Sequence, residues 1–271
     1  MKIGFIGGGN MATALIAGLV KDAGAGTQVH VVDPNPEALD KLAAQYGATT
    51  GGSIDAAVAG CEVIVLAVKP QQMREVAGAL APHLAGGPLV LSIAAGIRGV
   101  DLSRWLGGYG AIVRAMPNTP ALIGMGITGL VALSGVSAEQ RSAANAVLRA
   151  VGQTVWLDDE ALIDPVTAVS GSGPAYVFYF LEAMVAAASE MGLSAQQGRE
   201  LALATFAGAT QLAAESSETL EVLRQRVTSK GGTTHAAITS MEAAGVKAAI
   251  VAAMQAAAAR GRELGNELGA D

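Results

Sequence analysis

The 271-residue chain holds a single cysteine, Cys61. One thiol excludes an intrachain disulfide framework and suits a reducing compartment. Placed just before the apolar run VIVLAV, Cys61 reads as a small strand-end residue rather than a nucleophile. There are three histidines, His30, His83 and His235. None stands in a nucleophile–base motif, and no HxxxH or CxxC spacing offers a metal site. Hydrolysis by a serine–histidine or cysteine–histidine pair therefore finds no support. The net charge is −6 and no basic cluster occurs, which argues against nucleic acid and anionic membrane surfaces as partners. No uninterrupted apolar run reaches about 18 residues, so no membrane span is expected. The stretch MKIGFIGGGNMATALIAGLV is interrupted by Gly7, Gly8, Gly9 and Asn10 and shows no cleavage site of a signal peptide. A cytoplasmic location is expected.

Apolar material is plentiful, at 51% of residues. Up to about residue 160, short β-rich runs alternate with helical patterns. The strand candidates are Lys2–Ile6, Gln28–Val32, Val63–Ala67, Leu89–Ser92 and Ala111–Arg114. Helical patterns near 10–22, 35–46, 71–80 and 99–106 separate most of them. Such alternation reads as an α/β fold with a doubly wound, mostly parallel sheet. Two further runs, Gly126–Leu133 and Thr154–Leu157, flank a helix near 138–151 and extend that sheet. From about residue 162 no strand is convincing, and helices are expected near 172–191, 195–214, 218–227, 233–243 and 246–268. The chain thus divides into a dinucleotide-binding part, 1–161, and an all-helical part, 162–271. Several of the later helices are apolar around much of their circumference and need burial on more than one side. An interleaved dimer is expected.

The first motif with chemical content is IGFIGGGNMATAL. A strand ending at Ile6 runs into Gly7-x-Gly9-x-x-Ala12, and a helix opens at once through Asn10 and Met11. Gly7 allows the tight turn, Gly9 lets backbone approach a pyrophosphate, and the small Ala12 lets the helix pack on the strand. The second strand ends in the acidic Asp33, where an adenosine ribose should lie. A carboxylate there favours NADH and would repel a 2′-phosphate; a rotated Asp33 with Asn35 donating would still admit NADPH. Ligands of open α/β sheets bind beyond the carboxyl ends of strands. Ala67 ends one strand and Val68, Lys69 and Pro70 follow it, Ala94 and Ala95 follow another, and Asn118 lies in RAMPNTP after a third. Small residues at 94 and 95 would let a flat nicotinamide ring lie against backbone. With Gly8 and Ser53, these positions make up the expected cofactor site.

With nucleophiles and metal ligands excluded, hydride transfer remains, in which the cofactor carries the reactive chemistry and the protein positions it. Alcohol oxidation normally wants a lysine, histidine or tyrosine to move the hydroxyl proton. An imine substrate needs less, because it can arrive protonated. One later stretch stands out, TSKGGTTHAAI from Thr228 to Ile238. Its two adjacent glycines cost a helix roughly 2 kcal/mol against alanine, so something should justify the break.

In order and at family spacing, FIGGGNMA, LAVKPQ, SIAAGI, RAMPNTPAL, VSGSGPAY and VTSKGGTTHAAITSME run through the chain. In these it resembles pyrroline-5-carboxylate reductase over essentially its full length. The resemblance implies an N-terminal Rossmann domain and a C-terminal all-helical dimerisation domain, with pentamers of dimers common in the family. It also implies reduction of 1-pyrroline-5-carboxylate, a small-molecule substrate, to L-proline by NADPH or NADH, the last step of proline biosynthesis. In the family the Gly-Gly-x-Thr segment holds the substrate carboxylate. Gly231 and Gly232 would expose N–H groups at the start of the following helix, an anion site. Gly232, Thr233 and Thr234 would donate to the carboxylate, with the Thr234 hydroxyl the candidate catalytic group beside the ring nitrogen. Lys230 departs from the proline common in the family there, leaving the glycines intact and adding local positive charge. In VSGSGPAY, Ser172 reads as a helix cap with Pro174 in the first turn, or as a wall of the substrate site. His235 reads as a helix-surface residue. A β-hydroxyacid dehydrogenase would share this plan, but its lysine proton donor is missing from Val169 to Gly192. A non-enzymatic NAD(P)-binding module would have no reason to keep an anion loop at 231–234.

Overall fold

The computed structural model of the chain describes residues 1–22 and 26–270. Eight strands form one sheet: β1 (Lys2–Ile6), β2 (Gln28–Val32), β3 (Thr49–Gly51), β4 (Val63–Leu66), β5 (Leu89–Ser92), β6 (Ile112–Met116), β7 (Gly126–Ala132) and β8 (Gly152–Trp156). Their order is β3-β2-β1-β4-β5-β6-β7-β8. The first six run parallel; β7 is antiparallel to β6, and β8 is parallel to β7. The helices interleaved with these strands are α1 (Asn10–Asp22), α2 (Pro36–Tyr46), α3 (Ala56–Ala59), α4 (Met73–Leu80), α5 (Gly99–Trp105) and α6 (Ala138–Arg149). Then come α7 (Ile163–Val166) and a π turn at Thr167–Gly171.

The apolar strands are sorted by their period of two. Ile3, Phe5, Val29, Val31, Val63, Val65, Leu89 and Leu91 face one way, into a layer with Leu15 and Ile16 of α1, Leu42 of α2 and Val147 of α6. Ile6, Val32, Ile64, Leu66 and Val90 face the other way, onto Met73, Ala77 and Leu80 of α4 and Leu102 of α5. Strands buried on both faces read as continuous hydrophobic runs, as a parallel sheet requires. The expected doubly wound sheet is therefore observed, and the differences lie in short elements such as α3. The third strand lies on the sheet edge and contributes only two exposed threonines and a glycine, so it left no apolar pattern to read. Likewise α7 and the π turn precede the first long helix of the second half, where no element was expected.

Two compact units divide the chain. The first comprises Met1–Ser172 together with Ala256–Asp271; the second is Gly173–Gln255. The second unit is helical: α8 (Gly173–Glu190), α9 (Ala195–Glu215), α10 (Leu220–Arg226), α11 (Thr233–Ala243) and the N-terminal part of α12 (Val246–Gly269). A capping box of Ser194 and Gln197 starts α9, and Gly198 lets it pack on Ala188 of α8, where an added Cβ would lie 2.9 Å from the alanine Cβ. Among the described residues, Ala188 and Ala202 are this unit's only buried hydrophobic side chains, while Tyr179, Leu220 and Met191 are about three-quarters exposed. Helices this apolar and this bare call for a covering surface. Among the described residues, no single helix is long and apolar enough to cross a membrane.

Candidate active site

The glycine turn begins from a register match. Ile6 of β1 lies beside Val32 of β2 and Leu66 of β4, and Leu66 beside Ser92 of β5. The loops that follow these strands therefore emerge along one edge of the sheet. Gly7 has φ +102°, and a Cβ there would lie 2.6 Å from the Ala67 carbonyl oxygen. Only glycine fits, because the turn is both left-handed and pressed against the β4 exit. At Gly9 the direction of a Cβ is open, with nothing within 4 Å. The approach to the start of α1 is therefore open at Gly9, and the unpaired amides of a helix start suit an anion. Ala12 is buried, and Gly18 continues the close packing: its Cβ would lie 2.3 Å from the Ala150 carbonyl oxygen.

A cleft of about 580 Å³ opens at this edge. Of the expected cofactor residues, Ile6, Gly7, Gly9, Asp33, Ser53, Ala67, Val68 and Lys69 line it. Gly8 stands behind the turn, where its amide donates to Asp33 Oδ2 at 2.7 Å. The other carboxylate oxygen accepts the Asn35 amide at 2.8 Å. Asp33 thus ties the glycine turn to the loop after β2 while lining the cleft. Asn35 caps α2, its Oδ1 accepting from Glu37 N at 3.0 Å, and Pro36 takes the first helical position. Pro70 opens the short 3₁₀ turn after Lys69.

Asn10, Met11, Pro70, Ala94, Ala95 and Asn118 are not in the cleft lining. Ala94 and Ala95 lie one strand over at the same edge, just beyond the hydrogen bond from Ile93 N to Leu66 O (3.2 Å), and are half-buried. Asn118 is buried, with its amide already committed. Its Oδ1 accepts from Ile127 N at 3.0 Å and its Nδ2 donates to the Ser170 carbonyl at 3.2 Å. Sequence reasoning missed Gly52 and Ile54 with the edge strand before them, and Gln72 and Glu75, which face the cleft from the turn after Lys69 and from α4. Their signal was the helical spacing in KPQQMREV, which places 72, 75 and 76 on one face.

Cys61 is buried and free. Its Sγ contacts the Ala57 carbonyl at 3.4 Å, and burial pushes the thiol pKa up. A protonated thiol is no nucleophile, in keeping with the strand-end reading.

In the helical unit, the loop before α11 turns on Gly231, with φ +76°. Gly232 is the N-cap and has no side chain to cap with. Its own N–H donates to the Ser229 carbonyl at 3.0 Å, and its carbonyl accepts from Ala236 N at 3.1 Å. Gly232 was expected as a free donor and is engaged within the loop. The helix-start amides left are those of Thr233, Thr234 and His235. His235 is exposed on α11, as expected. Ser172 departs from the expected cap: its backbone is helical (φ −84°, ψ −17°), and its N–H donates to the Thr167 carbonyl at 2.8 Å. The π turn runs the chain up to Ser172 in helical geometry, and an N-cap requires extended backbone.

A glycine turn blocked behind and open in front, at the carboxyl edge of a doubly wound sheet, fits a dinucleotide, and the class is that of the NAD(P)-dependent oxidoreductases. Family models match over residues 2–96, described as NADP oxidoreductase coenzyme F420-dependent, and over residues 160–264, described as pyrroline-5-carboxylate reductase dimerisation. A pyrroline-5-carboxylate reductase of Pseudomonas aeruginosa is 47% identical over 99% of this chain and 98% of its own. The solved structure of a pyrroline-5-carboxylate reductase from Coxiella burnetii aligns over 97% of both chains at 38% identity and a TM-score of 0.91. That of Plasmodium falciparum pyrroline carboxylate reductase, solved with NADP bound, covers 98% of both at 28% identity and a TM-score of 0.86. The chain belongs to the pyrroline-5-carboxylate reductase family.

Proposed function

We propose that the chain reduces 1-pyrroline-5-carboxylate to L-proline with NADPH or NADH, the last step of proline biosynthesis. Residues 1–161 hold the dinucleotide and residues 162–271 bind substrate and make a homodimer. When bound, the reduced nicotinamide supplies a hydride to the imine carbon. The chain's own part is to hold and orient. Amides at the start of α1 receive the pyrophosphate, Asp33, Asn35 and Ser53 meet the adenosine ribose, and Ala67–Pro70 with Ala94–Ala95 flank the nicotinamide. The amides of Thr233 and Thr234 grip the substrate carboxylate, and the Thr234 hydroxyl hydrogen-bonds the ring nitrogen. The nitrogen proton arrives with the iminium substrate, from water or through that hydroxyl. A cytoplasmic location, expected from the lone cysteine and the lack of a membrane-spanning run, and further assembly into pentamers of dimers, implied by the resemblance, belong to the same proposal.

The observation that carries this reading is the start of α11 at Gly232, left without a side-chain cap in a chain that also has the dinucleotide turn, which suits a substrate carboxylate. The test is turnover: purified protein is mixed with pyrroline-5-carboxylate and NADPH or NADH. Cofactor oxidation matched mole for mole by proline is the expected result. Cofactor binding without oxidation would reduce the chain to a binding module.

A further inference from the structure

The C-terminal part of α12 belongs to the first unit. It lies on the loop between β5 and α5. At that loop the sheet ladder ends with Ile93 N donating to Leu66 O, and α5 begins with Leu102 N donating to Arg98 O at 3.0 Å. The helix end packs on the backbone between them. Gly96 has φ +73°, and a Cβ there would lie 3.3 Å from both Leu264 Cβ and Leu268 Cδ1. Leu268 packs against the same core layer that receives Ala94. Gly269 lets the helix come close: a Cβ there would lie 2.2 Å from Asp101 Oδ2 and 2.6 Å from Arg98 Nη2.

Hydrogen bonds fix the same contact. Arg98 Nη1 donates to Asn266 Oδ1 at 3.0 Å, and Arg104 Nη2 donates to the Gly269 carbonyl at 2.8 Å. Between the two arginines the buried Asp101 carboxylate accepts from Arg98 Nε at 2.7 Å and pairs with Arg104 at 3.3 Å. The helix end is thus held on this loop and on α5 by apolar contacts and by two hydrogen bonds from arginines that Asp101 pairs with.

We infer that Leu264–Gly269 is a latch that sets the β5–α5 loop and, through it, the backbone at Ala94–Ala95 against which the nicotinamide lies. Asn266 and Gly269 are positioning residues for the reduction. The nicotinamide part of this inference rests on the function proposed above. The physical reason is that hydride transfer tolerates little displacement: misplacing a reacting group by about 1 Å can cost roughly 100-fold in rate.

The test uses the full chain with Gly269→Val, which forces the last turn off Asp101, and Asn266→Ala. Asn266→Asp, which keeps an acceptor for Arg98, is the conservative control. Three quantities are read: kcat with pyrroline-5-carboxylate, binding of NADH against ADP-ribose, which lacks the nicotinamide, and hydrogen exchange of peptides spanning Ile93–Arg98. Gly269→Val should lower kcat by about 10- to 100-fold, weaken NADH, leave ADP-ribose binding unchanged and speed exchange in that segment. Asn266→Ala should follow in the same direction and Asn266→Asp should stay near wild type. Unchanged exchange and unchanged NADH binding in both disruptive variants would overturn the latch. So would a loss that tracks ADP-ribose binding or melting temperature, which would make the contact merely structural. If the wild-type chain failed to turn over pyrroline-5-carboxylate, the proposed function would fall, while exchange and the NADH to ADP-ribose comparison would still decide the latch.

Discussion

At Asp33 the carboxylate that lines the nucleotide cleft also accepts the amides of Gly8 and Asn35, so its replacement is expected to act twice. Asp33→Ser removes the charge that would repel a 2′-phosphate and raises the ratio of kcat/KM for NADPH to that for NADH. It also loosens the glycine turn, so both absolute values fall. Steady-state kinetics with each cofactor checks this, and an unchanged or lower ratio would remove Asp33 as the discriminator. At Thr234, alanine keeps the loop backbone and deletes one donor. A lost hydrogen bond to a charged group is worth roughly 1.5–3 kcal/mol, or about 10- to 150-fold in kcat/KM. A loss confined to KM would mean that Thr234 only binds; a loss in kcat places its hydroxyl in the transition state; wild-type kinetics would refute the role. Gly7 was legible because a strand–glycine–helix pattern records its left-handed turn, and Asp33 because it closes an apolar strand. The engaged Gly232 amide and the helical backbone at Ser172 were not legible, because a backbone amide's partner depends on a loop path that no residue pattern records.

Most strands were readable from their apolar runs and most helices from their spacing, since burial on both faces leaves a strong pattern. The exposed β3 and the short α7 with its π turn left none. Nor did the sequence show what ties elements together. Arg114 of β6 is buried and pairs with Glu160 at 2.5 Å. The same Glu160 oxygen accepts the first amide of α5, from Gly99, at 2.5 Å. Removing the acid strands a buried guanidinium. We expect Glu160→Ala to cost about 3 kcal/mol, the low end for a broken buried pair, because the Glu160 side chain is one-third exposed. Urea unfolding measures it, and a cost below about 1 kcal/mol, the range of a surface pair, would contradict the assignment.

Over the whole molecule, the second unit has few fully buried apolar side chains among the described residues. Tyr179, Leu220, Met191 and Leu212 lie exposed on α8–α10 or the turns joining them. Patches of this kind mark interaction surfaces, and the matched dimerisation family supports a second copy as the cover. Sedimentation at low micromolar concentration should show a dimer, and a well-folded monomer there would sink the proposal. The alanine-rich pattern made this need for burial legible. The division of α12 between the two units was not, because its helical spacing is the same on both sides of Gln255. The central claim is that the chain delivers a hydride to the imine carbon of pyrroline-5-carboxylate. It is tested most directly with reduced cofactor carrying deuterium at both nicotinamide C4 positions. The account predicts proline carrying deuterium at the former imine carbon, one label for each cofactor oxidised. Proline without that label, or cofactor oxidation without proline, would contradict it.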